Sequence, residues 1–173
     1  TQWTDSVFAS RSATFDDTAV LLGRVAHAGA VAAGASYNGT LTATLPGLLA
    51  GDYHLFVRSD ASGVVPDPNR TNNLRIAGAV LTVSEPASLA PGVQGNGTIS
   101  AGQDVWFRVD VPGGTPLRVT ASFAAASQGE LYVGYQRLPQ LGDSDGASTD
   151  PALAVQSVLL NATQAGTYYV RVR

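Results

Sequence analysis

Hydrophobic and polar residues alternate along most of the chain, and helical periodicity is nearly absent. In residues 105–111, Phe107 and Val109 point to one side of a strand, while Arg108 and Asp110 point to the other. The same alternation predicts strands over residues 40–45, 53–58, 79–83, 117–123, 131–135 and 168–173. Turns rich in Gly, Pro and Asp separate these runs. One apolar and one polar face per strand is typical of antiparallel sheets packed face to face.

The pattern predicts an all-β chain built from two tandem antiparallel β-sandwich modules, residues 1–84 and 85–173. The boundary is placed after the apolar run 79–83, because Pro86 favours an extended linker and cannot donate to a strand ladder. Each half repeats a Gly-x-Tyr step into a strand, at Tyr53 and at Tyr168. This step predicts a tyrosine corner, in which the ring enters the core and the hydroxyl binds backbone. The alternative is that both tyrosines merely begin strands.

Composition narrows the classes of function. The chain is 45% hydrophobic and 13% charged, with a net charge of −3 and neither Lys nor Cys. Without a concentrated positive surface, nucleic-acid binding is not expected. The absence of Cys excludes disulfides and a Cys nucleophile. No apolar stretch reaches membrane length, so membrane insertion is not expected.

Residues 3–83 carry an ordered series of short motifs. They are WTDSVFAS from Trp3, FDDTAVLLG from Phe15, GASY from Gly34, the Leu45-Pro46 pair, GDY from Gly51, VRSD from Val57 and the Asn72-Asn73 pair. The series resembles the CARDB module, the immunoglobulin-like domain of bacterial cell-adhesion-related proteins. The resemblance implies an extracellular or cell-surface adhesive module. That family begins with two further strands, which are expected to be missing before Trp3.

The second half is similar to bacterial pre-peptidase C-terminal (PPC) domains, the β-sandwiches appended to secreted proteases. The matching motifs are GTISAGQDVWF from Gly97, LRV from Leu117, LYV from Leu131 and GTYYVRV from Gly166. That family adds one more closing strand, which is expected to be missing here. Because an open sheet edge invites pairing with another chain, a strand-exchanged dimer is expected for the isolated fragment.

The acidic loop GDSDG, residues 142–146, fits the G-x-S-x-G pattern of a nucleophile elbow. Its flanks predict a loop, and both histidines, His27 and His54, lie in the other half, so catalysis is not expected. The same loop predicts a calcium site formed by Asp143, Asp145 and Asp150, because Ca²⁺ prefers clustered carboxylates on a turn. The alternative is a solvated loop. A second acidic patch would need Asp16 and Asp17 to approach Asp60 or Asp67 beside Asn69, Asn72 and Asn73, unless these residues only serve turns.

The tryptophans have two interpretations. Trp3 is predicted to fill the core. Trp106 falls on the opposite strand face from Val105 and Phe107, and with Tyr132 and Tyr169 it predicts an exposed aromatic patch. Burial against a missing strand or a neighbouring module is the alternative. The functional prediction is a non-catalytic structural or adhesive module pair whose partners are other modules of the same long chain. The alternative is an accessory module that binds polysaccharide or a collagen-like ligand for a secreted hydrolase, stabilised by calcium.

Overall fold

A computed structural model describes residues 2–124 and 129–173. The described chain is all-β, and its strands form several mainly antiparallel sheets. It divides into two compact units, Thr1–Ser84 and Glu85–Arg173. In the part that the structure describes, no helix is long and apolar enough to span a membrane.

The first unit contains one four-stranded antiparallel sheet in the order β2-β1-β3-β4. Phe8, Phe15 and Phe56 stack edge to face on it, with ring centroids 5.1 and 5.4 Å apart. The loop before the last strand contains a single 3₁₀ turn, Arg70–Asn72. The strands are β1 Gln2–Ser10, β2 Val20–Ala28, β3 Gly51–Arg58 and β4 Leu74–Val83.

The strand predicted over residues 40–45 is wrong, because the structure has irregular backbone there. Leu41 nevertheless packs on the sheet: a Cβ added to Gly23 would lie 2.8 Å from Leu41 Cδ1. Alternation in this segment therefore marks side chains that face the sheet. It does not supply a neighbouring strand, and strand structure needs one to satisfy its backbone hydrogen bonds.

The second unit contains a five-stranded sheet in the order β5-β6-β11-β8-β9 and a two-stranded sheet, β10-β7. All pairs are antiparallel except the short parallel pair β5–β6. Val158 of the small sheet joins five residues of the large sheet in one buried apolar cluster. The strands are β5 Ala87–Ser88, β6 Val105–Val111, β7 Leu117–Ser122, β8 Leu131–Tyr135, β9 Gly146–Ser148, β10 Val155–Leu160 and β11 Gly166–Val172.

Both predicted tyrosine corners are confirmed. Tyr53 is 6% exposed and its hydroxyl donates to the Leu49 carbonyl at 2.8 Å. Tyr168 is 3% exposed and its hydroxyl accepts from the Gln164 N–H at 2.9 Å. The glycines two residues earlier, Gly51 and Gly166, have φ of 142° and 138°, a conformation that side chains rarely allow. Each unit therefore fastens the start of a central strand with the same device.

Candidate functional site

A row of three large side chains crosses the five-stranded sheet of the second unit, on the face opposite its apolar cluster. Arg171 on β11 lies opposite Trp106 on β6 and opposite Tyr132 on β8. Its guanidinium carbon is 5.5 Å from both ring centroids, and its Nη2 donates to Asp104 Oδ2 at 2.9 Å. A cation inserted between two rings is held by both π faces. We call these three residues the Trp106–Arg171–Tyr132 row.

The exposure predicted for Tyr132 is wrong. Tyr132 is only 2% exposed, because Arg171 lies over its ring and its hydroxyl donates to Glu130 Oε2 at 3.0 Å. Burial, together with the Glu130 carboxylate, raises the pKa of Tyr132 above its ordinary value. Trp106 and Tyr169 are half-buried on the same face. Of the predicted patch, only Trp106 and Tyr169 therefore remain partly exposed to solvent.

The acidic loop between β8 and β9 is fastened by an arginine. Arg137 Nε donates to Asp143 Oδ1 at 3.1 Å, and its Nη2 donates to Asp145 Oδ1 at 2.8 Å. Asp145 Oδ2 also accepts from the backbone N–H of Tyr135. The hydrogen bond with Asp145 and the charges of both carboxylates raise the pKa of Arg137 above its ordinary value. The Arg137 guanidinium thus places a positive charge beside both carboxylates.

Asp150 takes no part in this pairing. Its side chain accepts from the N–H of Ala152 at 2.9 Å, and its carbonyl accepts from the amide of Gln156 at 2.6 Å. Across residues 2–124 and 129–173, no three Asp, Glu or His side chains form a cluster that could hold a metal. Of the predicted calcium ligands Asp143, Asp145 and Asp150, the structure brings the first two together beside Arg137 and keeps Asp150 in a separate turn, and the calcium site itself stays a prediction.

The second predicted acidic patch is also not assembled among the described residues. Asp60 is 8% exposed, accepts from the N–H groups of Val64 and Val65, and forms a 3.2 Å ion pair with Arg70. Burial opposes its ionisation, but these hydrogen bonds and the arginine charge outweigh it and hold the pKa of Asp60 below its ordinary value. Asp16 instead caps the local turn through Thr18, which lowers its pKa. Asp67 accepts from the N–H of Asn69.

A polar network in the first unit was not predicted. Trp3 Nε1–H donates to the Tyr37 hydroxyl at 3.1 Å, and that hydroxyl donates to Asp5. Asp5 in turn accepts from the Asp60 N–H at 3.0 Å. The His27 ring packs beside Trp3 and Tyr37, with centroids 4.0 and 4.2 Å apart. Burial and the Asp5 carboxylate raise the pKa of Tyr37. These residues are scattered along the sequence, so no local motif signals the network.

The G-x-S-x-G segment lacks the setting of a nucleophile elbow. Gly146 begins β9, so a short strand follows Ser144 where an elbow requires a helix. Gln140 and Asp143 form a tight backbone bridge just before it. The segment is therefore a turn fastened by Arg137.

A cavity of about 730 Å³ lies in the second unit. It runs along β7 and is bounded on the other side by the irregular segment after β5 and by apolar side chains of β6 and β11. Both the inward and the outward residues of β7 line it, so it opens along the edge of that strand. The inward residues Leu117, Val119 and Ala121 stay half-exposed, whereas Val158 on the neighbouring strand β10 is buried.

Comparisons with protein-family models, with curated proteins and with solved structures find no match to this chain. The resemblances to CARDB and PPC modules therefore stay predictions from the sequence. A function for this chain has to be inferred from the geometry of its own side chains.

Proposed function

We propose that this chain is a non-catalytic pair of β modules that serves a structural or adhesive role in a larger secreted or cell-surface protein. One observation carries the proposal. In the clusters described above, each charged side chain is paired with another side chain of the same unit. Arg137 ties down Asp143 and Asp145, Arg70 ties down Asp60, and Arg171 lies between two rings.

This use of charge differs from that of an active site. A catalytic acid or base keeps a free side toward the substrate and has a pKa shifted toward the working pH. Here the shifts move away from neutral pH: the pKa of Asp60 is lowered, whereas those of Arg137, Tyr37 and Tyr132 are raised. The charged groups among them form ion pairs that hold neighbouring turns together.

A structural module of this size is expected to unfold and refold cooperatively as a unit, because small single domains usually behave as two-state folders. Single-molecule pulling of the chain between handles tests this property. We expect separate cooperative extension events for the two units and recovery of both after the force is released. Gradual extension without discrete events, or failure to refold, would contradict a structural role.

A second candidate function rests on Trp106. This ring is half-buried on the outer sheet face, beside Tyr169 and Arg108, and is thus partly open to a stacking ligand. An accessory module that binds polysaccharide or a collagen-like surface would use such a ring. Arg171 lies over the Trp106 ring, which limits the stacking area.

Glycan-array and collagen pull-down measurements with wild type and Trp106→Ala test this candidate. Specific binding that disappears in Trp106→Ala, but survives in a Trp3→Phe control, would favour the accessory role. Absence of binding by wild type would eliminate it. The control is matched because Trp3, in the other unit, is engaged by Tyr37 and His27.

A further inference from the structure

The strand β7 has one edge without a strand partner in the described unit, and the irregular segment after β5 lines the far side of the cavity beside that edge. Among the described strands, its ladder partner is β10, and the six residue pairs between them follow one uninterrupted register. The cavity of about 730 Å³ opens along the other edge. A regular strand with an unpaired edge is a ready template for another strand.

The hydrogen-bonding direction of β7 is set by its ladder. The Phe123 N–H donates to the Ala154 carbonyl on the β10 side. In an antiparallel pair, successive residues point their backbone groups alternately toward and away from the partner. Arg118, Thr120 and Ser122 therefore direct their N–H and C=O groups away from β10, toward the opening. Another β-strand is the structure that would pair with these backbone groups, because its own N–H and C=O groups have the same spacing.

Most other edges in the described sheets carry features that discourage pairing. The outer edge of β10 is as long and regular as that of β7, but it lies beside β9, where the Ser157 N–H donates to Ser148 Oγ at 3.3 Å. The edge strand β5 has two residues. In the first unit, the ladders of the edge strands β2 and β4 each contain a register irregularity. Short length and bulges are devices by which proteins blunt sheet edges. β7 has six residues, a continuous register and no charged residue facing the apolar side.

We infer that the free edge of β7 pairs with β7 of a second copy of this chain, antiparallel across a two-fold axis, over the opening beside the strand. The same strand in a second copy presents an equivalent row of free backbone groups and the same apolar side, as an isologous contact requires.

Charge is compatible with this pairing. Arg118 is the one charged residue of β7. Antiparallel registers centred on Val119 or on Thr120 place Arg118 opposite Thr120 or Ser122 of the second copy, so two arginines do not face each other. The half-exposed Leu117, Val119 and Ala121 gain cover from the same side chains of the second copy. The inference does not rest on the proposed function, since a monomeric chain can also serve as a structural module.

Sedimentation velocity of the full chain over a range of concentrations tests the inference. We expect a weak dimer, because one six-residue strand pair buries less than the ~1,200–2,000 Å² of stable interfaces. The dimer fraction should rise with concentration. A wild-type chain that remains monomeric up to about 1 mM would overturn the inference.

Substitutions at Thr120 locate the contact. Thr120→Pro removes an N–H that points to the opening and leaves the ladder to β10 intact. It should weaken dimerisation by about tenfold or more, since the symmetric contact loses that donor twice. Thr120→Val keeps the N–H and a β-branched side chain, and it should dimerise like wild type. A dimer that is unchanged in Thr120→Pro would overturn the inference.

A charge variant keeps the test valid if proline perturbs folding. Thr120→Lys places a positive charge opposite Arg118 of the second copy or opposite the same substituted side chain there, depending on the register. It should weaken the dimer several-fold in low salt, and added salt should restore part of the loss through screening. Circular dichroism checks that each variant is folded. A dimer that is insensitive to Thr120→Lys would place the contact elsewhere and refute β7 pairing.

Discussion

The tyrosine corners lead to the sharpest prediction of stability, because each unit contains one and the hydroxyls differ in their bonding. Tyr53→Phe removes a hydroxyl that donates to Leu49 and accepts from Arg11 at 3.2 Å. Tyr168→Phe removes one that accepts from Gln164. Both rings stay in place, so the loss is confined to hydrogen bonding.

The magnitudes depend on the number of bonds. A net hydrogen bond contributes about 1 kcal/mol, and a partly buried group left without its partner raises the cost. Tyr168→Phe should therefore cost about 1–2 kcal/mol, and Tyr53→Phe about 2–3 kcal/mol. For units of this size, each kcal/mol lowers the melting temperature by roughly 4–8 °C.

The chain provides a separate reporter for each unit. It has two tryptophans, Trp3 in the first unit and Trp106 in the second. Denaturant unfolding followed by fluorescence in a Trp106→Phe background reports the first unit, and a Trp3→Phe background reports the second. Tyr53→Phe should shift only the first transition, and Tyr168→Phe only the second.

Tyr135→Phe is the matched control. Its hydroxyl also donates to a backbone carbonyl, that of Ala165 at 2.9 Å, but this bond is exposed to solvent. Its loss should cost less than about 1 kcal/mol, because water replaces an exposed partner. Equal costs for Tyr168→Phe and Tyr135→Phe would show that the buried corner does not fasten the strand.

The ionic and aromatic clusters lead to four more predictions. Asp60→Asn should destabilise the first unit at neutral pH. Because the pKa of Asp60 is lowered in the folded state, the stability that its carboxylate contributes is complete above the ordinary pKa of 3.8 and is lost as pH falls through the lower folded pKa. The unfolding curves of wild type and Asp60→Asn should therefore converge in acid. The control Asp67→Asn should have little effect at any pH. Asp145→Asn should lower the melting temperature more than Asp143→Asn. Asp145 also accepts a hydrogen bond from the Tyr135 N–H, and its side chain is 33% exposed, against 70% for Asp143. The reverse order of melting temperatures would contradict the described loop. Calcium should leave the melting temperature of wild type unchanged relative to EDTA, because Arg137 already neutralises both carboxylates, and a rise of several degrees would show otherwise. Arg171→Lys should cost the second unit about 1–2 kcal/mol, because an ammonium cannot stack between Trp106 and Tyr132 as a planar guanidinium does. The control Arg118→Lys, at an exposed position, should leave stability in chemical denaturation nearly unchanged.

The sequence predicted the fold best where alternation coincided with turn residues. β6 and β8 occupy the predicted residues 105–111 and 131–135, and the Gly-x-Tyr steps form the corners at Tyr53 and Tyr168. The segment at 40–45 was mispredicted because alternation reports which side chains face a sheet and carries no information about a backbone partner. Its Leu41 does pack against Gly23, but without strand pairing.

The site could be predicted only in part, because pairing partners lie far apart in sequence. Asp143 and Asp145 were recognised as an acidic turn, but their cation, Arg137, was not. Tyr132 alternates as an outward residue, and only the register of β11 reveals that Arg171 covers it. The Trp3–Tyr37–Asp5 network spans 34 and 32 residues between its members, a distance at which local patterns carry no signal.

The central claim is that the clustered polar side chains hold the fold and perform no chemistry. It is tested most directly by incubating the chain with ester, glycoside, peptide and phosphoester substrates and measuring products by mass spectrometry. Ser144→Ala and the double variant Asp143→Asn/Asp145→Asn serve as controls, because they remove the only G-x-S-x-G serine and its neighbouring carboxylates. The account predicts no product above the level of these variants. Turnover by wild type that either variant abolishes would contradict it.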